Sequence, residues 1–293
     1  MVTIKALLDD VDTPEGPVST RDGGWYFTEM GRGCISYVSD DRQERRVVAS
    51  TGRPNGLALD ANGNLWVAES KYPSLQRIDP HGHVDVVLEG YPRQPVCWPN
   101  DLCFGPDGMI YLTDSGVLLE SFEGVDPPEA AYEVPVNGKV LKVDPASGSF
   151  IEIDTGLQFA NGIAFGPEGR HLYVSETLTG NIYRYAFADG QLGARELFGN
   201  VMKRIPQSYG RVAGPDGMAF DVAGNLYVAV LIEGTITVLG PTGDATSRIA
   251  LPGNFPTNVA FSQIQPTRIV VTEAQSNLLL TFYVSVKGLP LFA

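Results

Sequence analysis

The chain has 293 residues, 43% of them hydrophobic, and its 21 basic and 34 acidic residues give a net charge of -13. No run of Lys or Arg interrupts this negative balance, which argues against nucleic acid or an anionic membrane surface as a partner. The opening residues lack a signal-peptide core and no later segment is long enough to span a bilayer, so we expect a cytoplasmic protein. The odd number of cysteines fits free thiols in a reducing compartment, although Cys97 and Cys103 could in principle pair.

A repeated pattern of two short apolar strands around a turn runs along the whole chain. Each copy is typical of a β-hairpin, and two further alternating runs follow it, so each repeat supplies four strands. Repeats of this kind, spaced roughly 40 to 60 residues apart, are typical of propeller blades. The sequence therefore predicts an all-β fold, a six-bladed β-propeller with four antiparallel strands per blade, as one domain over residues 1–293. In chain order the six copies begin at Pro14, Arg53, Trp98, Phe159, Gly214 and Pro256.

The last repeat is incomplete. Its third strand falls near the segment NLLLTFYVS, and the chain then ends in VKGLPLFA. The opening segment TIKALLDDV is well placed to supply the missing outer strand. We therefore expect the N- and C-terminal segments to pair, which would protect sheet edges that otherwise favour aggregation.

One polar residue opens the first strand of each copy. Because strand direction alternates within a blade, all six openings fall on one face, here called the upper face, close to the axis. The two longest irregular stretches, residues 116–138 and 199–214, fall on the same face. Loops of that length are often functional. The six polar positions are Glu15, Asn55, Asn100, Asn161, Asp216 and Asn258.

Four of these positions suggest a metal site. The carboxylates of Glu15 and Asp216 and the amides of Asn100 and Asn161 offer only oxygen ligands, which suits a hard divalent cation such as Ca²⁺. Zn²⁺ would favour nitrogen or sulfur ligands as well, but Zn²⁺ and Mn²⁺ stay open as alternatives. Asn-Gly and Asp-Gly pairs are also ordinary turn formers. Here, however, the hairpin turns carry turn residues of their own, such as those at 62–64.

Other catalytic patterns are missing from the sequence. It contains no G-x-S-x-G elbow, no H-E-x-x-H helix and no phosphate-binding G-x-x-x-x-G-K loop. His81, His83 and His171 lie in turns predicted on the opposite face and are interpreted as ordinary surface residues. An acid also closes the second strand of five blades, where it either accepts backbone N–H groups or orients the amide ligands. These acids are Glu29, Glu69, Asp114, Glu176 and Glu273.

With these residues in view, the chain resembles the SMP-30/gluconolactonase/luciferin-regenerating-like family over essentially its whole length. The segment PNDLCFGPDGMIYLTDS in the third repeat is similar to a gluconolactonase signature. The resemblance implies an axial divalent metal, usually calcium, held by Glu15, Asn161 and Asp216. It further implies that Asn100 contacts either the metal or the substrate. Family members hydrolyse sugar lactones, other lactones or organophosphate esters.

One departure concerns the substrate. Sugar-lactone members of the regucalcin type carry an Arg two residues before the third-repeat Asn, where this chain has Trp98. Together with the apolar start of the 116–138 segment, Trp98 predicts a substrate pocket that suits an aromatic or alkyl lactone at least as well as a sugar lactone.

The expected reaction is metal-assisted hydrolysis of a small-molecule lactone, with Asp216 as the general base and Glu15 as a ligand only. Two alternatives stay open. One is phosphotriester hydrolysis at the same metal site. The other is a non-catalytic propeller that binds a partner on its upper face and uses the metal to tie its blades together.

Overall fold

The computed structural model describes residues 2–293 and consists of six small antiparallel sheets arranged as the blades of a propeller. The predicted fold is therefore confirmed. Each blade runs outwards from an inner strand that borders the central axis. Blade one comprises β2 (Pro14–Ser19), β3 (Trp25–Glu29), β4 (Cys34–Val38) and β5 (Arg45–Ser50). Blade two comprises β6 (Pro54–Leu59), β7 (Leu65–Glu69), β8 (Ser74–Ile78) and β9 (Val84–Glu89). Blade three comprises β10 (Pro99–Phe104), β11 (Ile110–Asp114), β12 (Gly138–Val143) and β13 (Phe150–Leu157).

Blades four to six follow the same plan, with differences at their outer edges. The outer edge of blade four has two short strands, and blade six takes its outer strand from the start of the chain. Blade four comprises β14 (Ala160–Phe165), β15 (His171–Glu176), β16 (Asn181–Ala188), β17 (Gln191–Leu192) and β18 (Glu196–Asn200). Blade five comprises β19 (Gly214–Phe220), β20 (Leu226–Leu231), β21 (Thr235–Leu239) and β22 (Ala245–Ala250). Blade six comprises β23 (Pro256–Phe261), β24 (Arg268–Glu273), β25 (Leu278–Tyr283) and β1 (Lys5–Leu8).

The burial of each strand follows from its place in the blade. Second strands such as β7 and β11 are buried at every position, because both of their faces pack against neighbouring blades. Outer strands such as β9 are largely exposed. The hydrophobic core is accordingly divided into clusters that join one blade to the next. One such cluster joins Trp66 and Leu75 of blade two to Leu102 and Ile110 of blade three.

The N-terminal strand closes the propeller as the sequence predicted. Strand β1 pairs antiparallel with β25, with Lys5 opposite Thr281 and Ala6 opposite Leu280. Leu7 is buried in the same cluster as Trp25 and Phe27 of blade one. The closing strand therefore completes the last blade and packs against the first.

Blade four departs from the expected four strands. Its third strand, β16, is eight residues long and pairs with β17 at one end and with β18 at the other. Asp189 and Gly190 both have positive φ, of 52° and 73°, which is the geometry of a tight hairpin turn after β16. The chain leaves the edge after this turn and rejoins it at Glu196, so the outer edge is split.

The last residues of the chain lie across the lower end of the axis. The Leu289 N–H donates to the Phe220 carbonyl at 2.9 Å, where inner strand β19 ends. The Phe292 ring meets the Phe165 ring edge to face, with 6.0 Å between centroids. Residues 289–293 thus help to line an apolar cavity formed by the lower halves of the inner strands.

Residues 116–138, here called the lid, connect β11 to β12 on the upper face. The lid contains a short helix, α1 (Leu119–Phe122), and a 3-10 helix over Pro128–Glu133. The second long loop carries a 3-10 helix over Pro206–Tyr209, and a short one over Pro167–Gly169 follows β14. Across residues 2–293 we find no helix with the length and apolar character of a membrane span.

Candidate functional site

The six polar residues at the starts of the inner strands, here called the ring residues, are all buried at the upper end of the axis. Their exposed fractions lie between 3% and 8%. Each lies at the second or third position of its inner strand, near the opening of the strand as the sequence predicted. In every blade the pairing of the inner strand with the second strand shifts register at this point, and such irregularities re-aim side chains. The ring residues are Glu15, Asn55, Asn100, Asn161, Asp216 and Asn258.

A glycine after the ring residue allows neighbouring blades to approach closely. A Cβ atom on Gly16 would lie 2.7 Å from the Asn55 carbonyl oxygen, and Gly16 also has φ of 48°. A Cβ atom on Gly56 would lie 2.8 Å from the Asn100 carbonyl oxygen. Because no Cβ atom fits there, these glycines fix the diameter of the ring.

Two ring amides are oriented by hydroxyl groups. The Asn100 Nδ2 donates to Ser115 Oγ at 2.9 Å, and the Asn161 Nδ2 lies 3.1 Å from Thr177 Oγ1. Each hydroxyl belongs to the residue that follows the acid at the end of the second strand. The Asn161 Oδ1 is buried and has no hydrogen-bond partner among the described residues. A buried carbonyl oxygen without a partner is costly unless a ligand completes it.

The carboxylates near the axis repel each other. Burial, followed by the charge of Asp101, raises the pKa of Glu15 to about 8, although hydrogen bonds from Asn258 and Gly16 oppose the shift. Burial raises the pKa of Asp216 well above its usual range, and the charges of Glu15 and Asp101 add to the effect. The Asn258 Nδ2 donates to Glu15 Oε2 at 3.0 Å, which joins blade six to blade one.

Asp101 was missed by the sequence analysis. It is buried, and this burial raises its pKa to about 7, with opposing hydrogen bonds from the Leu102 and Ile163 backbone and from Asn258. A signal was available, since Asp101 follows the ring residue at the place where four other blades have glycine. The axis therefore carries a third acidic side chain beside Glu15 and Asp216.

The ring fits a divalent cation by its chemistry. Its side chains offer oxygen donors, one amide oxygen has no partner, and the nearby carboxylates have raised pKa values that a cation would lower. Within residues 2–293 no three His, Cys, Asp or Glu side chains are grouped closely enough to hold a metal by themselves. The predicted set takes only Glu15 and Asp216 from those residue types, so it depends on the amides as well.

Hydroxyl groups on the second strands support the ring from the neighbouring blade. Thr28 Oγ1 donates to the Asn55 carbonyl at 2.8 Å, Thr113 Oγ1 to the Asn161 carbonyl at 2.6 Å and Ser175 Oγ to the Asp216 carbonyl at 2.9 Å. The signal for this role was the recurring Thr-Glu, Thr-Asp and Ser-Glu pairs at the ends of second strands. These bonds fix the height of each ring residue along the axis.

The acids at the ends of the second strands accept backbone N–H groups, which is the first of the two roles predicted from the sequence. Glu69 accepts the Arg53 N–H at 2.7 Å, and Asp114 accepts the Trp98 N–H at 2.7 Å. Glu29, Glu176 and Glu273 accept the corresponding N–H groups of Asp12, Gln158 and Phe255. Each acid thus anchors the residues that lead into its own inner strand.

Blade five uses a different acid for a related purpose. The side chain of Glu233, two residues past the end of β20, is 1% exposed. Its Oε1 accepts the Lys203 N–H and the Tyr209 hydroxyl, both at 2.7 Å. Both donors lie on the second long loop, so Glu233 anchors that loop. The shifted position explains why the sequence pattern did not reveal it.

Trp98 lies under the lid. It is buried in an aromatic cluster, with ring centroids 5.3 Å from Phe159 and 6.2 Å from Phe122 of α1. Its Nε1 has no hydrogen-bond partner among the described residues. The structure therefore places Trp98 directly before the Asn100 strand on the upper face, and its contact with substrate stays a prediction.

The histidines lie away from the ring residues, whereas Cys97 directly precedes Trp98 and Cys103 lies two residues after Asp101 on β10. All three cysteines are free thiols, so the alternative pairing of Cys97 with Cys103 is not formed. His81 and His83 are exposed and His171 is partly exposed, in agreement with ordinary surface roles.

The sequence is similar to that of known hydrolases over most of its length. A model of the SMP-30/Gluconolactonase/LRE-like region matches residues 13–275. The gluconolactonase of Zymomonas mobilis is 28% identical over 279 residues, covering 89% of this chain and 76% of that protein. The diisopropyl-fluorophosphatase of Loligo vulgaris is 27% identical over 300 residues, covering 94% and 90%.

A solved structure shares the architecture. The calcium-binding protein regucalcin of Agrobacterium tumefaciens superposes with a TM-score of 0.80 at 19% identity, over 100% of this chain and 98% of that one. At this identity the likeness concerns the fold. The family match, in contrast, covers most of the sequence. The chain therefore belongs to the SMP-30/gluconolactonase/LRE-like family.

Proposed function

We propose that the protein is a metal-dependent hydrolase and that it hydrolyses lactones at the site formed by the ring residues. The observation that carries this proposal is the buried group of oxygen side chains, in which the Asn161 Oδ1 lacks a partner and two acids have raised pKa values. Such a group favours a hard divalent cation, and Ca²⁺ is the first choice over Mn²⁺ or Zn²⁺. The gluconolactonase relative from Zymomonas mobilis supports a lactone as the substrate.

In this proposal Glu15, Asn161 and Asp216 hold the cation, and Asn100 contacts either the cation or the substrate. The bound cation would supply Lewis acidity to the lactone carbonyl. Asp216 would take a proton from the attacking water as the general base. Glu15 would serve as a ligand only; since each of the two carboxylates accepts one amide side-chain and one backbone hydrogen bond, paired substitutions must separate their roles.

A phosphotriester is the second candidate substrate. It is favoured by the similarity to the Loligo vulgaris diisopropyl-fluorophosphatase over 94% of this chain. The same donors would then hold the cation near a phosphoryl oxygen, and the same carboxylate would face the attacking water. A non-catalytic binding propeller, the third possibility, would hold the cation and turn over neither class.

The test is a pH-indicator screen of lactones and phosphotriesters, using protein stripped of metal by a chelator and reloaded with one cation at a time. We expect no turnover without cation and hydrolysis of a lactone when Ca²⁺ is restored. The matched variant is Asn161→Leu, which replaces the unpartnered amide oxygen with a methyl group and keeps the branching of the side chain.

The outcomes separate the candidates. Cation-dependent turnover of phosphotriesters alone would favour the second substrate class. Calorimetric binding of the cation without any turnover would favour the non-catalytic propeller. Lactone turnover unaffected by the chelator, or equal in wild type and Asn161→Leu, would contradict the proposed site.

A further inference from the structure

Arg53 holds a place in blade two that Trp98 holds in blade three. Each lies two residues before its ring asparagine, Asn55 or Asn100, at the upper mouth of the axis. These two ring positions are neighbours, because Gly56 packs against the Asn100 carbonyl. The side chains of Arg53 and Trp98 also meet, with the guanidinium carbon 5.3 Å from the centre of the indole ring.

The base of Arg53 is fixed by blade two. Its N–H donates to Glu69 Oε1 at 2.7 Å, and its carbonyl accepts the Ser70 hydroxyl at 2.8 Å. Its Nη1 lies 3.2 Å from Ser70 Oγ. The side chain is only 19% exposed, and burial lowers its pKa while the charges of Glu123 and Glu69 oppose that shift. One face of the guanidinium is thus covered by indole and one edge is bound to blade two.

The remaining edge is paired with the lid. Arg53 Nη2 forms an ion pair with Glu123, whose side chain is 47% exposed and follows directly after α1. Ion pairs with an exposed partner contribute only about 0 to 1 kcal/mol. Glu123 is therefore the partner that is exchanged most easily, and an oxyanion from solution would offer Nη2 the same kind of charged oxygen acceptor.

The negative charge around the site suggests a role for the exchange of Glu123 for an oxyanion on Arg53. The protein carries a net charge of -13, and Glu15, Asp101 and Asp216 lie near the axis. Even with a divalent cation that balances Glu15 and Asp216, the negative charge of the protein disfavours an anionic substrate unless a fixed cationic group receives it. Arg53 is a cationic group stacked on the residue that leads into the Asn100 strand, and its position owes nothing to the lid apart from Glu123.

We propose that Arg53 is a specificity-determining residue that binds an oxyanion group of the substrate, such as a carboxylate, away from the reacting carbonyl. The anion takes the place of Glu123, so anionic lactones are preferred over neutral ones and their binding breaks this ion pair between the lid and blade two. This inference rests on the proposed lactone hydrolysis and adds to it the class of substrate.

The experiment compares two lactones with the same five-membered ring, γ-carboxy-γ-butyrolactone and γ-valerolactone, on cation-loaded protein. Arg53→Gln should raise KM for the carboxylated lactone by about 10-fold to 100-fold, the range expected for losing a hydrogen-bonded charge pair. Its kcat/KM for γ-valerolactone should stay within about threefold of wild type. Arg53→Lys, which keeps the charge but not the planar fork, should fall between the two.

The matched control is Lys71→Gln. Lys71 lies on the same face of blade two, is exposed and stacks on the Tyr72 ring at 5.5 Å, so its loss removes the same charge outside the clamp. Equal effects of Lys71→Gln and Arg53→Gln would reduce the role of Arg53 to general electrostatics and overturn the inference. Glu123→Gln should lower KM for the carboxylated lactone, since the competing carboxylate is gone.

A binding measurement separates this inference from the proposed function. Tetrahydrofuran-2-carboxylate carries the anion but no reacting carbonyl, and its Kd can be measured by calorimetry whether or not lactones are turned over. Binding to wild type that weakens at least 10-fold in Arg53→Gln supports the inference even if hydrolysis fails. Equal affinity of both proteins, or no binding to wild type, overturns it even if neutral lactones are hydrolysed.

Discussion

The two ends of the propeller axis are built by the same six inner strands and differ in almost every property. At the upper end these strands present buried acids and amides, and the pKa values of Glu15 and Asp216 are raised by burial and repulsion. At the lower end they present apolar side chains such as Phe165, Phe220 and Phe261, which line a cavity together with residues 289–293. The upper end is unfavourable for the fold in the absence of a ligand, and the lower end stabilises it. We infer that function and stability are separated along the axis.

The largest expected effect is at the upper end and concerns Asp216. Asp216→Asn keeps an oxygen donor but removes the basic carboxylate, so kcat at saturating cation should fall by about 100-fold to 10,000-fold. Glu15→Gln should recover most of its activity once the cation is saturating, because the base is still present. The measurement is kcat for both variants, with cation occupancy checked by calorimetry. Recovery of Asp216→Asn with an inactive Glu15→Gln would reverse the two roles.

A large loss of stability is also expected when the outer strand of blade six is removed, although this strand lies at neither end of the axis. Deleting residues 1–9 removes β1 and the buried Leu7 and leaves β25 as a bare edge, which should cost about 3 kcal/mol or more. Deleting residues 1–3 leaves β1 and the core contact of Ile4 in place and serves as the control. Equal melting temperatures and a monomeric state for both truncated proteins would contradict the importance of this pairing.

The upper end should make the metal-free protein sensitive to pH. The folded pKa values of Glu15, about 8, and Asp101, about 7, lie above the ordinary values of 4.5 and 3.8. Each protonated carboxyl therefore stabilises the fold at low pH, and this contribution is lost as the pH rises from about 4 to 8. The stability of the metal-free protein should therefore fall steadily with rising pH across this range. Thermal melts across this range should show it.

Two comparisons sharpen the pH experiment. Saturating Ca²⁺ should reduce the loss of stability with rising pH, because the cation favours the charged carboxylates. In the absence of cation, Asp101→Asn should remove part of the same loss. Metal-free protein whose stability rises or stays level between pH 5 and 8 would contradict the repulsion assigned to the upper end.

The smallest expected effect is at the lower end. Phe292→Ala removes a partly buried ring that packs on Phe165 and should lower stability by about 1 to 2 kcal/mol, less than for a fully buried ring. Leu291→Ala is the control, because Leu291 is 65% exposed. Neither variant should change kcat. A fall in kcat for Phe292→Ala would show that the two ends are coupled.

The sequence was sufficient for the parts of the molecule that repeat. The hairpin copies located the six inner strands, the ring residues and the closing role of β1, because each feature recurs or completes a pattern. Asp101 and Glu233 were missed because they are exceptions to the repeat, one replacing a glycine and the other lying two residues past the end of its second strand. The lid cluster around Trp98 depends on contacts between distant segments, which no local pattern encodes.

The hydrogen bond from Asn258 to Glu15 has a consequence for the order of folding. It joins residues 243 positions apart, and the pairing of β1 with β25 spans a similar distance. Such contacts form late, because a long loop must close before they contribute. A ribosome must therefore deliver blade six before Glu15 can meet its partner, and no shorter fragment can assemble the ring. Cation binding would then stabilise only the fully synthesised chain with its propeller closed, and would act mainly by slowing the opening of the propeller.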